Sequence, residues 1–203
     1  MKTKRAGAFT LIELLVVIAI MGILAALLVN LAGKASNSKK RARVDTELQQ
    51  LKTIIEAYKE KKGYYPPSNG DTNNVLTNQL YYELTGTVFK PDDEEYQTIH
   101  SEAIKVQAIR NFFQTDGFVN SGTDAKNFFP GLKSSQYAEL SSADNVKILV
   151  VPVEGPNDID VGGRKLNPWR YNSLAPTNNP DSYDLWAEIL VGGKTNIIGN
   201  WNQ

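Results

Sequence analysis

Residues 9–29 read FTLIELLVVIAIMGILAALLV, 21 positions of which only Thr10 and Glu13 are appreciably polar. About 20 consecutive apolar residues cross the hydrocarbon core of a bilayer as a helix, so a transmembrane helix is expected here. Glu13 is the anomaly in it. A charged side chain at the centre of a membrane helix costs roughly 3 kcal/mol on insertion scales, and it marks a functional site when a partner can be named for it. Lys2, Lys4 and Arg5 precede the run, and Lys34, Lys39, Lys40, Arg41 and Arg43 follow it. With basic residues on both sides, the positive-inside rule leaves the orientation open. The basic leader also fits a cleaved secretory signal. Against that reading, Asn30-Leu31-Ala32 is a poor small-x-small cleavage site.

Helical periodicity continues beyond the apolar run. Val44, Leu48, Leu51, Ile55 and Tyr58 fall on one face of period near 3.6, while Arg43, Asp45, Glu47, Gln50, Lys52, Glu56 and Lys59 occupy the others. Gly63 offers a left-handed cap, and Pro66-Pro67 forbids continuation. One helix from Phe9 to Lys62 follows, roughly 80 Å long at 1.5 Å per residue, with weak points at Gly22 and at residues 30–33. Its second half presents a stripe on which a domain packs.

The rest of the chain reads as a globular domain. Leu76, Leu80 and Leu84 suggest a short helix ending at Gly86, and residues 94–113 read as another. Gly, Ser, Asp and Asn punctuate residues 116–145, where Phe128-Phe129-Pro130 is expected to tuck a loop down. Strand signals dominate the end. Val146 to Val153 is a buried-type apolar run closed by Gly155-Pro156. Tyr183, Leu185, Ala187 and Ile189 alternate with Asp184, Trp186, Glu188 and Leu190, and Gly192-Gly193 turns into Asn196 to Trp201. The expected fold is α+β: a long N-terminal helix, transmembrane in its first half, packed against a C-terminal antiparallel sheet of three to four strands.

Composition excludes several classes of function. The 22 basic and 22 acidic residues balance, so no global field points to nucleic acid. The absence of cysteine removes a disulfide framework, a thiolate metal site, a lipoprotein anchor and a cysteine nucleophile. His100 is the only histidine and has no partner for metal ligation or catalysis. No nucleophile elbow, Walker loop or dinucleotide fingerprint is present, so no enzyme is read. Asn157-Asp158-Ile159-Asp160-Val161-Gly162 echoes a calcium loop but lacks the later acids and reads as a surface turn. Lys39-Lys40-Arg41, just beyond the membrane run, suits anionic lipid headgroups better than DNA.

The N-terminal segment, a short basic leader followed by Phe9-Thr10-Leu11-Ile12-Glu13 and an unbroken apolar run, resembles the prepilin N-terminus shared by type IV pilins and the pseudopilins of type II secretion systems. That resemblance implies cleavage by a membrane aspartyl peptidase at the Ala8–Phe9 bond and N-methylation of Phe9. The usual residue before the bond is Gly; here Gly7 stands one place early and Ala8 occupies the position. Cleavage makes Glu13 the fifth mature residue and removes Lys2, Lys4 and Arg5. The family role pairs Glu13 with the Phe9 amine of a neighbouring subunit. Pairing two buried charges recovers much of each desolvation cost, so the pair sets axial register, and the leader blocks it until cut.

Further segments resemble the major, G-type pseudopilin. They are Gly63-Tyr64-Tyr65-Pro66-Pro67, Asn167-Pro168-Trp169, Tyr183-Asp184-Leu185-Trp186 and Ile198-Gly199-Asn200-Trp201. The implied organisation is a leader at 1–8, a transmembrane and filament-core helix at 9–33, the exposed half of the helix at 34–62, and a periplasmic domain at 63–203 with an extended region at 88–150. The implied localisation is the inner membrane, single-pass, with a cytoplasmic N-terminus. The implied partners are copies of the chain and other pseudopilins, the prepilin peptidase, the inner-membrane assembly platform and membrane lipids. The family commonly holds calcium in the C-terminal loop, which points to Asp184 and to Asp181, with Asn179 or Asn196 as substitutes, since Val191 stands where the second aspartate falls. The alternatives are a type IV pilus or DNA-uptake pilin, which often carries a C-terminal cysteine pair, and a membrane-anchored binding or enzymatic module using a prepilin-type signal.

Overall fold

The computed structural model describes residues 10–99 and 101–201, with backbone only for residues 27–32. Two compact units divide at Lys40 and Arg41. Helix α1, Leu11–Lys62, belongs to both. Its backbone is helical through Gly22 and Gly33.

In the N-terminal unit, every described side chain from Thr10 to Ala26 is exposed. A contiguous apolar surface of that extent marks an interaction surface. Among the described residues, no helix is long and apolar enough to cross a membrane.

In the second unit, the stripe Val44, Leu48, Leu51, Ile55 and Tyr58 is buried, no member more than 2% exposed. It joins one core with residues of the strands. The helix ends as its residues dictate. Lys59, Lys61 and Lys62 occupy the last turn, where cations complement the helix dipole. Gly63, at φ 87°, donates its N–H to the Lys59 carbonyl at 2.7 Å. Helix α2, Leu80–Thr85, is buried at all six residues. It starts later than the leucine spacing suggests. The Asn78 side chain donates to the Val75 and Trp169 carbonyls and accepts from the Leu80 N–H, giving the preceding backbone a local alternative to helix.

The expected helix over 94–113 is overturned in its first half. Strand β1, Thr87–Lys90, pairs antiparallel with β2, Glu95–Thr98, through a 3-10 turn at Pro91–Asp93. Strand β3, Ala103–Lys105, completes the sheet in the order β1-β2-β3. Only Val106–Phe113, α3, is helical. Pro91 favours a turn, and Glu94 takes a left-handed φ of 49°, so the chain reverses where a helix would have to propagate. Phe128 and Phe129 are buried as expected, with the Phe128 N–H on the Leu84 carbonyl at 2.8 Å.

The C-terminal strands form two sheets. Strands β4 (Tyr137–Ser141), β5 (Val146–Val151), β6 (Ile159–Val161) and β7 (Arg164–Pro168) run in the order β4-β5-β7-β6. Strands β8 (Arg170–Asn172), β9 (Asp184–Val191) and β10 (Lys194–Gly199) run in the order β10-β9-β8. All pairings among them are antiparallel. The chain crosses from one sheet to the other at Trp169, between β7 and β8. Leu185, Ala187 and Ile189 face the core along β9. Gly192 and Gly193, at φ 59° and 76°, form the two-residue turn into β10; positive φ at both positions matches the twist of the strands.

Candidate functional site

Ala8 and Phe9, the expected cleavage bond and methylation site, lie outside the described residues, as does His100. Thr10 and Glu13 are described, and they form a capping box. The Thr10 N–H donates to Glu13 Oε2 at 2.9 Å, and the Glu13 N–H donates to Thr10 Oγ1 at 3.3 Å. The Thr10 hydroxyl adds a 2.7 Å bond to the same carboxylate oxygen. Reciprocal bonds of this kind satisfy two N–H groups that a helix start otherwise leaves without partners. Glu13 thus terminates its own helix, a role available from the Thr10-x-x-Glu13 spacing but missed in reading Glu13 only as a partner for another subunit. One face of the carboxylate is held by Thr10. The Glu13 side chain is exposed and lines a shallow apolar groove with Ile12, Val16 and Val17.

The C-terminal loop was the candidate metal centre. Asp184, at the start of β9, is buried. Its Oδ2 accepts the Thr177 N–H at 2.7 Å, the Asn178 N–H at 2.8 Å and Asn178 Nδ2 at 3.1 Å. Its Oδ1 accepts the Asn179 N–H at 2.9 Å, and Asn179 Nδ2 lies 3.2 Å from it. Asp181 is exposed and takes no part in this set. Asn196 sits on β10 and donates to the Lys194 carbonyl. Among the described residues, no three acidic or histidine side chains gather where they could hold a metal ion. Calcium takes six to eight oxygen ligands; Asp184 is ringed by N–H donors. The donor set does not fit the ion.

The other C-terminal signatures are tie points. Asn167 Nδ2 donates to the carbonyls of Val153 and Glu188, each at 2.8 Å, joining the two sheets. Trp169 is buried, and its carbonyl accepts from Asn78 Nδ2 at 2.7 Å. A cleft of about 350 Å³ beside Asn167 is lined by Glu154, Asp158 and Lys165. Its Asp158 carboxylate accepts the Gly155 N–H at 3.0 Å. The echo of a calcium loop at 157–162, read as a surface turn, contains strand β6, and only its last residue enters the Gly162-Gly163 turn into β7, where Asp160 Oδ1 accepts the Gly163 N–H at 2.8 Å. Lys39, Lys40 and Arg41 are exposed on α1.

Residues 3–29 match the family described as the prokaryotic N-terminal methylation motif. No curated protein and no solved structure matches the chain. The motif and the fold that follows it agree: a helix beginning in the methylation motif leads into an α+β domain. The chain carries a prepilin-type methylation motif, which implies a type IV pilin-like structural subunit with a membrane-anchored N-terminus, processed by prepilin peptidase and polymerised with pilin-like subunits.

Proposed function

We propose that the chain is a pseudopilin of a type II secretion system, cut at Ala8–Phe9, N-methylated at Phe9, and assembled into a periplasmic fibre that drives protein export. The observation that carries this reading is Glu13, placed in the first turn of an apolar helix inside the methylation motif. Exposed apolar side chains on every face of Leu11–Ala26 suit bundling with other copies. A carboxylate in that bundle needs a cation. The amine created at Phe9 supplies one four residues upstream on the chain, available to a neighbour shifted along the fibre axis. The leader withholds that amine until the bond is cut, so cleavage licenses assembly. The secretion branch is favoured over a pilus by the Trp-rich C-terminal signatures, Asn167-Pro168-Trp169 and Ile198-Gly199-Asn200-Trp201, which serve as structural ties between strands.

Mass spectrometry of the membrane-extracted chain tests the processing step. An N-methylated Phe9 terminus is expected; an intact leader in a cell with active prepilin peptidase refutes the mechanism. Loss of secreted protein, without loss of surface pili, on deletion of the gene then separates the secretion role from a pilus.

A further inference from the structure

We infer that the loop over residues 173–182 is locked by Asp184 and Asn200 through hydrogen bonds alone, so that this domain keeps its shape without a divalent cation. The Asp184 carboxylate accepts four N–H bonds, from the Thr177, Asn178 and Asn179 backbone and the Asn178 side chain; Asn179 Nδ2, whose two hydrogens are shared with Asn200 Oδ1 and the Tyr183 carbonyl, lies 3.2 Å from Oδ1. A carboxylate offers about four lone-pair sites, so Asp184 is saturated, and a cation approaching either oxygen meets the positive ends of N–H dipoles. The neighbouring oxygens are committed as well. Asn200 Oδ1 accepts the Leu185 N–H at 3.0 Å and Asn179 Nδ2 at 3.1 Å. The Tyr183 carbonyl accepts Asn200 Nδ2 at 2.8 Å and Asn179 Nδ2 at 3.1 Å.

The far end of the loop is tied in the same way. Asn172 exchanges side-chain bonds with both the N–H and the carbonyl of Ala175, at 3.0 and 2.9 Å. The Ser173 hydroxyl donates to the Pro66 carbonyl at 2.8 Å, anchoring the loop to the turn after α1. Charge-assisted bonds from backbone N–H groups to a buried carboxylate are about twice as strong as neutral ones. Asp184 therefore acts as an anionic hub in the place where a cationic one would otherwise gather oxygens. This holds whichever filament the chain builds, since it rests on the loop alone.

Thermal unfolding of the detergent-solubilised full-length chain, in millimolar calcium and in excess EDTA, tests the inference. The two melts are expected to superimpose. A ligand bound by the folded state alone raises the midpoint in proportion to the logarithm of its concentration; such a calcium-dependent rise overturns the inference. Asp184→Asn places an NH₂ group against N–H donors and is expected to lower the midpoint equally in both buffers. If that variant does not fold, hydrogen exchange on the wild type gives the second reading. The Thr177, Asn178 and Asn179 amides are expected to be protected to the same degree with and without chelator. Protection that collapses in EDTA, or protection absent in both buffers, overturns the lock.

Discussion

The Tyr58 hydroxyl donates to Glu83 Oε2 at 2.8 Å, joining the buried stripe of α1 to the centre of α2. The same carboxylate accepts the Val119 N–H at 2.7 Å and the Asn120 N–H at 2.9 Å. Glu83 is wholly buried. Three elements distant in sequence thus meet on one acid, and the long helix is attached to the middle region by a polar bond as well as by apolar packing. Removing one partner of a buried hydrogen bond leaves the other to bear its desolvation, about 1–3 kcal/mol. Tyr58→Phe is expected to destabilise the full-length chain by that amount in urea titration, without altering membrane insertion.

Burial pushes the Glu83 carboxyl above its ordinary range, and the donors from Tyr58, Val119 and Asn120 pull against it. A folded-state value above the unfolded one means that the folded chain holds the proton longer. The contribution is therefore fully present below about pH 4.3, the unperturbed glutamate value, and is lost as pH rises through the folded value. Urea midpoints of the wild type are expected to fall across that window, and Glu83→Gln is expected to remove this component of the slope.

Glu13 carries two roles that one substitution separates. Glutamine at the third helical position still completes a capping box, yet it offers no charge to an amine. Glu13→Gln is expected to insert and to be cleaved like the wild type but to be excluded from filaments in cells that also express normal subunits, scored by crosslinking. Thr10→Ala removes the cap and costs about 1 kcal/mol of helix stability, with a milder assembly defect.

Gly70 donates its N–H to the Phe113 carbonyl at 2.8 Å, and a Cβ at this position would collide with the Gln114 carbonyl at the end of α3. Overpacking of this kind costs about 1–3 kcal/mol. Gly70→Ala is expected to lower the thermal midpoint and to raise hydrogen exchange in α3 before it does so in β9.

Within the core, Ile55→Ala removes a fully buried side chain from the α1 stripe. A loss of about 2–5 kcal/mol is expected, from transfer and cavity terms together. Chemical denaturation of the full chain measures it, and a loss below this range would place the stripe outside the cooperative core.

Much of the fold was legible where a pattern repeats over many residues. The stripe from Val44 to Tyr58, the Gly63 cap, the β9 alternation and the Gly192-Gly193 turn each rest on local periodicity or on a residue's own conformational preference, and the structure places all of them as expected. The capping box was available from the Thr10-x-x-Glu13 spacing in the same way, but it was not among the expectations. The helix expected at 94–113 failed because Glu95–Thr98 and Ala103–Lys105 are too short to show alternation; they are strands only because β1 pairs with β2 and β2 with β3. Likewise the expected single sheet is two, since nothing local to Trp169 says that the chain changes sheets there. By itself, then, the sequence determined the continuous helix, its buried face, the acid at its start and the α+β class, because those follow from nearest-neighbour backbone physics. Tertiary structure alone decided that Asp184 is filled by Thr177, Asn178 and Asn179 N–H groups rather than left open to a metal, and that Glu83 gathers Tyr58 and the 119–120 backbone. Which donors reach a buried carboxylate depends on contacts that the chain makes only after it has folded back on itself.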